Sequence, residues 1–106
     1  DAPRDGVLHV WATWCAPCRD ELPGLLAAAE AEGVALVALS VDESADAVAV
    51  FFGGRVPPQV VRDPRGVPGV RELPATLRVR GGELVERVQG ARDWSSPEAR
   101  AWLRRP

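Results

Sequence analysis

The chain has 106 residues, of which 46% are hydrophobic, and it carries a formal net charge of −2. A chain of this length can bury roughly two thirds of the surface that its unfolded form exposes, so we expect one domain over residues 1–106 that needs no disulfide for stability. Its charges form no long run of one sign, which excludes the electrostatic footprint of a nucleic-acid-binding protein. Two cysteines are too few for a disulfide-rich scaffold or for a complete cysteine zinc site.

The first two predicted elements meet at the cysteines. Residues 6–13, GVLHVWAT, are mainly apolar with β-branched and aromatic members, which predicts a strand that is buried on both faces. Residues 18–32, CRDELPGLLAAAEAE, carry an apolar stripe at helical spacing and precede Gly33, so they predict a helix that ends there. Asp20 and Glu21 are expected in its early turns, where the helix dipole favours acidic side chains.

A second strand, a short helix and an edge strand follow. Residues 34–41, VALVALSV, form another continuous apolar run and predict a second central strand. Ser44 is predicted to cap a short helix over residues 45–52, ADAVAVFF. Residues 58–61, PQVV, are typical of an edge strand, and residues 62–69, RDPRGVPG, of a turn-rich connection.

The last third of the chain predicts a hairpin and a closing helix. Residues 75–80 and 83–88 alternate apolar and polar side chains and are joined by two glycines, which indicates a β-hairpin. Residues 95–105, SSPEARAWLRR, predict a helix that a serine caps. Strands joined through helices run parallel, and a hairpin adds antiparallel partners. The fold class is therefore predicted as α/β, with a mixed central sheet flanked by helices on both faces.

Cys15 and Cys18 are separated by two residues where the first predicted strand ends and a helix begins. The unpaired N–H groups and the positive dipole end of a helix start favour the thiolate and lower the pKa of a cysteine there. Cys18, one turn further on, faces the same side and can close a disulfide with Cys15. This pattern predicts that Cys15 forms mixed disulfides with substrates and that Cys18 then resolves them.

The same spacing occurs in metal sites and in structural disulfides. A metal site needs two more ligands, and the only histidine, His9, lies on a predicted buried strand. A structural disulfide gains little from so short a loop, because its stabilisation grows with loop length. The strand-to-helix position therefore favours a redox function. Two alternatives stay open, namely a copper-handling module with Cys15, Cys18 and, as an optional third ligand, His9, and a binding domain whose disulfide never turns over.

The segment WATWCAPCRDELP, residues 11–23, resembles the active-site motif of the thioredoxin superfamily. It is most similar to the TlpA/ResA-like branch, which includes DsbE/CcmG-like bacterial extracytoplasmic thiol-disulfide oxidoreductases. The residues that carry the resemblance are Trp11, Trp14, Cys15, Pro17, Cys18 and Pro23. The segments SVDES, residues 40–44, ELPAT, residues 72–76, and GARDWSSPEARAWL, residues 90–103, are similar to further family signatures. The likeness thus spans roughly residues 6–104.

This resemblance implies a thioredoxin-like fold and a set of substrate-binding residues. Trp14, Ala16 and Pro17 would shape the lip and the loop of the redox site. Pro74 would be the cis-proline that stands opposite the cysteines, and Leu73 would offer backbone hydrogen bonds to an extended substrate segment. The connection before Pro74 is shorter than in family members and leaves little room for the helix that they have there.

Two residues are candidates for handling the proton of Cys18. Glu43 matches an acidic residue that ResA-like members place near the cysteines, and a partly buried carboxylate there would have a raised pKa. The alternative is that Asp42 and Glu43 only decorate the end of a strand.

His9 is the second candidate and departs from the family. Six residues before the first cysteine, thioredoxins carry a buried acid and TlpA-like proteins usually carry asparagine. A neutral imidazole at this position could accept the proton of Cys18, and histidine is the side chain most easily tuned near neutral pH. The alternative is a core histidine that is hydrogen-bonded to backbone.

The sequence thus predicts a dithiol-disulfide oxidoreductase whose only redox group is the Cys15–Cys18 pair, with no bound cofactor and no metal. The resemblance implies an extracytoplasmic reductant of exported protein thiols, as in cytochrome c maturation, that is recharged by a membrane electron donor. We expect a monomer that does not bind nucleic acid. Because the chain begins at Asp1 and lacks an initiating methionine, we also expect its N-terminus to be trimmed.

Overall fold

Residues 4–105, which the computed structural model describes, form a five-stranded sheet and three helices. The strands are β1 Gly6–Trp11, β2 Leu36–Ser40, β3 Val60–Arg62, β4 Ala75–Arg80 and β5 Glu83–Gln89, and the helices are α1 Ala16–Glu32, α2 Ala45–Phe51 and α3 Pro97–Arg104. The sheet order is β3-β2-β1-β4-β5. The first three strands are parallel, and β4 is antiparallel to both of its neighbours. The predicted mixed sheet is therefore confirmed.

Each helix begins where a side chain can satisfy its first N–H groups. Cys15 is the N-cap of α1, and the serine hydroxyls of Ser44 and Ser96 cap α2 and α3. The helix α1 ends at Gly33, whose φ of +68° is a left-handed conformation that suits glycine. The predicted start of α1 moves back to Ala16, because the first turn of a helix tolerates the proline that follows.

The front face of the sheet, defined by Val7, His9 and Trp11, carries the helices. Alternation along β1 points these three side chains to the same side. Apolar residues of α1 and α3 surround Val7, and both cysteines pack with Trp11. Phe51 of α2 also contacts Trp11, with ring centroids 5.4 Å apart. The front face therefore holds the main core and the cysteine site.

The back face is covered by a connection, which corrects the predicted helix layer there. Leu8 and Val10 point to this face and cluster with strand residues, and Val67 and Val70 pack over them. Within residues 4–105, this cluster contains no helix residue. The crossovers from β1 to β2 and from β2 to β3 advance in the same direction, so right-handed connections put α1 and α2 on one side. The connection of residues 63–74 contains no helix.

A buried arginine joins β4 to the end of α3. Arg78 is 4% exposed and donates to Glu86 Oε1 at 2.9 Å and to the carbonyl of Arg105 at 2.7 Å. Its guanidinium carbon lies 4.1 Å from the ring centroid of Trp102. These contacts hold α3 against the sheet. Within the described residues, no helix combines the length and apolarity that a membrane span requires.

Truncating a buried side chain of α1 is predicted to lower the free energy of unfolding far more than truncating an exposed side chain elsewhere. Leu25 is fully buried, so Leu25→Ala should lower the free energy of unfolding by about 2–5 kcal/mol through lost transfer energy and a cavity. Val50→Ala is the control, because Val50 is 79% exposed on α2 and its truncation should stay within about 0.5 kcal/mol. Urea unfolding of both variants measures this difference, and equal losses would contradict the packing described.

Candidate redox site

The two cysteines lie at the junction of β1 and α1 and are joined by a disulfide, with their Cα atoms 5.2 Å apart. The Sγ of Cys15 accepts a hydrogen bond of 3.3 Å from the backbone N–H of Cys18. Cys15 also lies at the positive end of the α1 dipole. Both interactions favour negative charge on the Cys15 sulfur.

Exposure distinguishes the two cysteine residues. Cys15 is 9% exposed, whereas Cys18 is completely buried. A partner protein can therefore reach Cys15, while Cys18 is placed to react with Cys15. This asymmetry matches the order of attack that the motif predicts.

A buried aspartate holds the turn that presents Cys15. The Asp42 carboxylate accepts bonds of 3.0 and 3.2 Å from the backbone N–H of Thr13 and one of 2.6 Å from its hydroxyl. The hydroxyl of Ser40 donates to Asp42 at 2.5 Å. Asp42 follows β2 and Thr13 follows β1, so these bonds fasten two parallel strand ends just before Cys15. From sequence, Asp42 is expected only to decorate a strand end.

Besides Asp42, the site has a second buried acid, the Glu21 carboxylate on α1. Its Oε2 accepts a bond of 2.6 Å from the indole N–H of Trp94 and one of 3.0 Å from the backbone N–H of Arg92. Burial, the largest effect, raises the pKa of Glu21, and the two hydrogen bonds and the Arg92 charge partly oppose it. Glu21 lies three residues after Cys18 on the buried side of α1, where residues at this spacing are neighbours.

Sequence reasoning places Glu21 in the early turns of α1 only for its interaction with the helix dipole. The signal that could have identified it is its three-residue spacing from Cys18, which puts an acid on the same helix face. Its partners Arg92 and Trp94 give no such signal, because they follow more than 70 positions later.

His9 is completely buried beneath the site. Its Nδ1 lies 2.9 Å from the hydroxyl oxygen of Thr76, and its Nε2 lies 3.4 Å from Glu21 Oε1. Burial lowers the pKa of His9 to about 3, so the imidazole is neutral at physiological pH. The alternative of a core histidine is confirmed by this burial, but its expected backbone partner is wrong, because the ring faces two side chains.

Glu43 does not have the burial that its predicted role requires. Its side chain is exposed, and its backbone carbonyl accepts a bond of 3.2 Å from Arg62. It follows β2 by three residues, where the chain turns toward α2 at the surface. The prediction of a partly buried Glu43 is therefore wrong, and the buried acid on the cysteine helix is Glu21.

Of the five predicted substrate-binding residues, three are exposed beside the cysteines, whereas Leu73 is half-buried and Pro74 is fully buried. Trp14 is 67% exposed, and Ala16 and Pro17 are exposed at the first turn of α1. The Leu73–Pro74 peptide bond is cis, as the resemblance implies. Leu73 packs against the cluster that contains both cysteines. Their roles in binding a substrate stay predictions.

An open groove of about 450 Å³ runs beside the motif. It is lined by Ala16, Pro17, Asp20, Glu21, Ala91, Arg92 and Asp93. Only 1% of the Glu21 side chain is exposed, so this acid forms part of the inner wall. The groove thus brings a buried carboxylate close to the surface beside the redox loop.

The copper-handling alternative offers His9 as an optional third ligand beside the two sulfurs. The ring nitrogens of His9 instead face Thr76 and Glu21. Within residues 4–105, no group of three or more His, Cys, Asp or Glu side chains is arranged to hold a metal ion. The geometry therefore does not support His9 as a third ligand, and ligation by the two sulfurs stays an alternative.

The fold and the site define a thioredoxin-like domain, in which the first strand leads to a CxxC disulfide at the start of a helix. Sequence similarity to known proteins supports this class. Over 92 residues the chain is 33% identical to the thiol-disulfide oxidoreductase ResA of Bacillus anthracis, and the match covers 78% of this chain and 53% of the relative. It is 30% identical over 98 residues to thioredoxin 2 of Chlorobaculum tepidum, covering 86% of this chain and 70% of that protein.

A solved structure has the same architecture. The crystal structure assigned as the thiol:disulfide interchange protein DsbE of Chlorobium tepidum matches with a TM-score of 0.66 and 29% identity, covering 92% of this chain and 72% of that one. No protein-family model matches the sequence. The chain belongs to the thioredoxin superfamily, and its likeness to the TlpA/ResA-like branch is confirmed. It spans about half the length of the ResA relatives that it matches.

His9→Asn is predicted to weaken the acid dependence of stability. The unfolded chain binds a proton at His9 below pH about 6.5, but the folded protein does so only near pH 3, so His9 lowers the free energy of unfolding as the pH falls through this window. The variant lacks this loss of stability at low pH. The contribution of Glu21 remains and has the opposite sign, because a carboxyl group whose pKa is raised by folding stabilises the folded state as the pH falls. Urea unfolding across the window measures the slopes. Val85→Asn, at an exposed position, should keep the wild-type slope. Parallel curves for His9→Asn and wild type would contradict the prediction.

Proposed function

We propose that the chain is a thiol-disulfide oxidoreductase with Cys15 as the nucleophile and Cys18 as the resolving thiol. The observation that carries this proposal is the unequal exposure of a cysteine pair at a helix start, with the outer sulfur hydrogen-bonded by an N–H group. The family relatives named as thiol-disulfide oxidoreductases support it. A disulfide that never turns over would need neither an accessible sulfur nor a buried acid beside its partner.

The reaction transfers two electrons and two protons from the reduced Cys15–Cys18 dithiol to a substrate disulfide. The Cys15 thiolate attacks a substrate disulfide, so a mixed disulfide forms and one substrate sulfur leaves as a thiolate that takes a proton. Cys18 then loses its proton and attacks the Sγ of Cys15. The second substrate sulfur leaves, the substrate is reduced to two thiols, and the Cys15–Cys18 disulfide is restored.

Glu21 is proposed to accept the proton of Cys18. The sulfur of Cys18 is buried, so its thiolate cannot form efficiently without a nearby base. Glu21 is the acid on the same helix face, and its raised pKa brings its proton affinity toward that of a thiol. The groove beside Pro17 then gives the carboxyl group a route by which to return the proton to the leaving thiolate or to water.

Substrate segments are proposed to lie across the exposed Trp14 and the redox loop of Ala16 and Pro17. The cis Leu73–Pro74 segment would pair with an extended substrate backbone, as the family resemblance implies. We further propose that the substrates are exported protein thiols, such as apocytochrome c cysteines, and that a membrane donor recharges the protein outside the cytoplasm. The likeness to relatives named ResA and DsbE supports this assignment. The protein is proposed to act as a monomer without a bound cofactor.

Cys18→Ser is predicted to trap the first covalent intermediate. Because the resolving sulfur is missing, the reduced variant should accumulate a mixed disulfide with an oxidised peptide that carries the Cys-x-x-Cys-His haem-attachment motif. Oxidised insulin serves as an unrelated substrate. Non-reducing electrophoresis and mass spectrometry measure the adducts.

Cys15→Ser is the matched control and should trap little, because Cys18 is buried. Equal trapping by both variants, or by neither, would overturn the assignment of the two sulfurs. Trapping of insulin alone would leave the oxidoreductase function intact and overturn the proposed substrate class.

Glu21→Gln is predicted to slow resolution of the mixed disulfide by about a hundredfold at neutral pH, a magnitude typical of a lost general base. It should also remove the dependence of this step on the ionisation of the carboxyl group. Stopped-flow fluorescence across the pH range measures both effects. Glu30→Gln makes the same chemical change at an exposed position of α1 and should behave as wild type. An unchanged pH profile in Glu21→Gln would rule out its role.

A further inference from the structure

We propose that Thr76, His9 and Glu21 form a proton relay in which His9 is a positioning residue, and that its neutral imidazole changes tautomer when Glu21 gains the proton of Cys18. The proposal rests on the oxidoreductase function proposed above for Cys15 and Cys18. It assigns a role to the one histidine of the chain, which lies buried beneath the cysteine helix.

The three side chains come from three elements and meet under the cysteine helix. His9 on β1 is paired in register with Thr76 on β4, and its Nδ1 lies 2.9 Å from the Thr76 hydroxyl oxygen. Its Nε2 lies 3.4 Å from Glu21 Oε1 on α1. Within the described residues, neither Nε2 nor Oε1 has a hydrogen-bond partner, and the two atoms face each other across 3.4 Å. Because an unpaired buried polar atom is costly, we expect a small movement of either side chain to join them by a hydrogen bond.

The carboxylate oxygens of Glu21 have different surroundings. Oε2 already receives N–H donors from Arg92 and Trp94. A proton that arrives on the carboxyl group is therefore best accommodated on Oε1, the oxygen that faces His9. Two acceptors opposite each other would repel, so one proton must lie between Oε1 and Nε2 in either state of Glu21.

This requirement couples the imidazole to the carboxyl group. When Glu21 is ionised, His9 carries its ring proton on Nε2, and the Thr76 hydroxyl donates to Nδ1. When Glu21 is protonated, Oε1–H donates to Nε2, and the ring proton lies on Nδ1 and is donated to Thr76, whose hydroxyl can also accept. The relay gains one proton between the two states, which is the proton that Cys18 loses. His9 remains neutral in both.

The surroundings of His9 contain few other charges. On β2 its paired residue is the apolar Ala38, and on β4 it is Thr76. From α1, Glu21 and Cys18 face this region, and the positive charge of Arg92 lies near Glu21. The other buried acid, Asp42, is occupied by Thr13 and Ser40 at the end of the sheet. Glu21 is therefore the titrating group to which the His9 tautomer responds.

Nitrogen-15 NMR of the oxidised protein tests the relay directly, because His9 is the only histidine. The ring nitrogens distinguish the two neutral tautomers. We expect the Nε2–H form above the pKa of Glu21 and the Nδ1–H form below it, with one shared midpoint. Glu21→Gln should abolish the transition, and Glu30→Gln should keep it. A single tautomer across the titration of Glu21, or an imidazolium with a midpoint near its ordinary pKa, would overturn the proposal.

Kinetics of the reduced protein give a second test. Loss of a hydrogen bond to a charged group should slow the resolving step by about tenfold to hundredfold in His9→Asn and shift the pH midpoint of that step. Thr76→Val should shift the same midpoint, and Thr76→Ser, which keeps the hydroxyl, should restore it. If the midpoint stays at its wild-type pH in the Thr76→Val protein, the relay is wrong.

The relay and the underlying function fail in different ways. Mixed disulfides in Cys18→Ser without a tautomer transition in wild type would refute the relay alone. A tautomer transition without trapped substrate would refute the oxidoreductase function and leave the relay as a feature of the fold. The wild-type titration needs no variant, so it decides the matter even if a core substitution prevents folding.

Discussion

The enclosure of the Glu21 carboxylate is the constraint on which the site depends. An acid that is buried under a helix is tolerated only when its oxygens have partners. The groups around the carboxylate come from different parts of the chain, since Trp94 and Arg92, which donate to Oε2, precede α3, and His9, which faces Oε1, lies on β1. Satisfying one carboxyl group therefore requires α1, the sheet and the segment before α3 to hold fixed positions. The same requirement places an ionisable group one helical turn beyond Cys18.

The junction of β1 and α1 gives the two sulfurs unequal surroundings. Cys15 caps the helix and is partly accessible, whereas Cys18 lies inside the first turn and is enclosed. Asp42 maintains this difference, because its hydrogen bonds to Thr13 fix the turn before Cys15 against the end of β2. The electrostatics of the helix start act on the outer sulfur, and the buried acid acts near the inner one. Each sulfur thus has its own means of losing a proton.

The two faces of the sheet have different roles, and one segment, residues 63–74, contacts both of them. The front face carries the helices and all the groups discussed for proton transfer, while the back face is a small apolar layer covered by residues 63–74. This covering segment ends at the cis Leu73–Pro74 bond. Leu73 packs with both the back-face cluster and the cysteine cluster. Burial of the back face therefore also positions the segment proposed to meet the substrate.

Local patterns in the sequence were sufficient to determine the order of the elements, their bounds to within two residues and the cysteine pair, because apolar periodicity, caps and the CxxC spacing act over a few residues. The family motif added the fold name and the cis-proline. Tertiary structure alone decided that Glu21, and not Glu43, is the buried acid, and that His9 faces Thr76 and Glu21. His9 and Thr76 are 67 positions apart in the sequence, and Glu21 and Trp94 are 73 positions apart. Only packing brings such side chains together, so no local pattern encodes them.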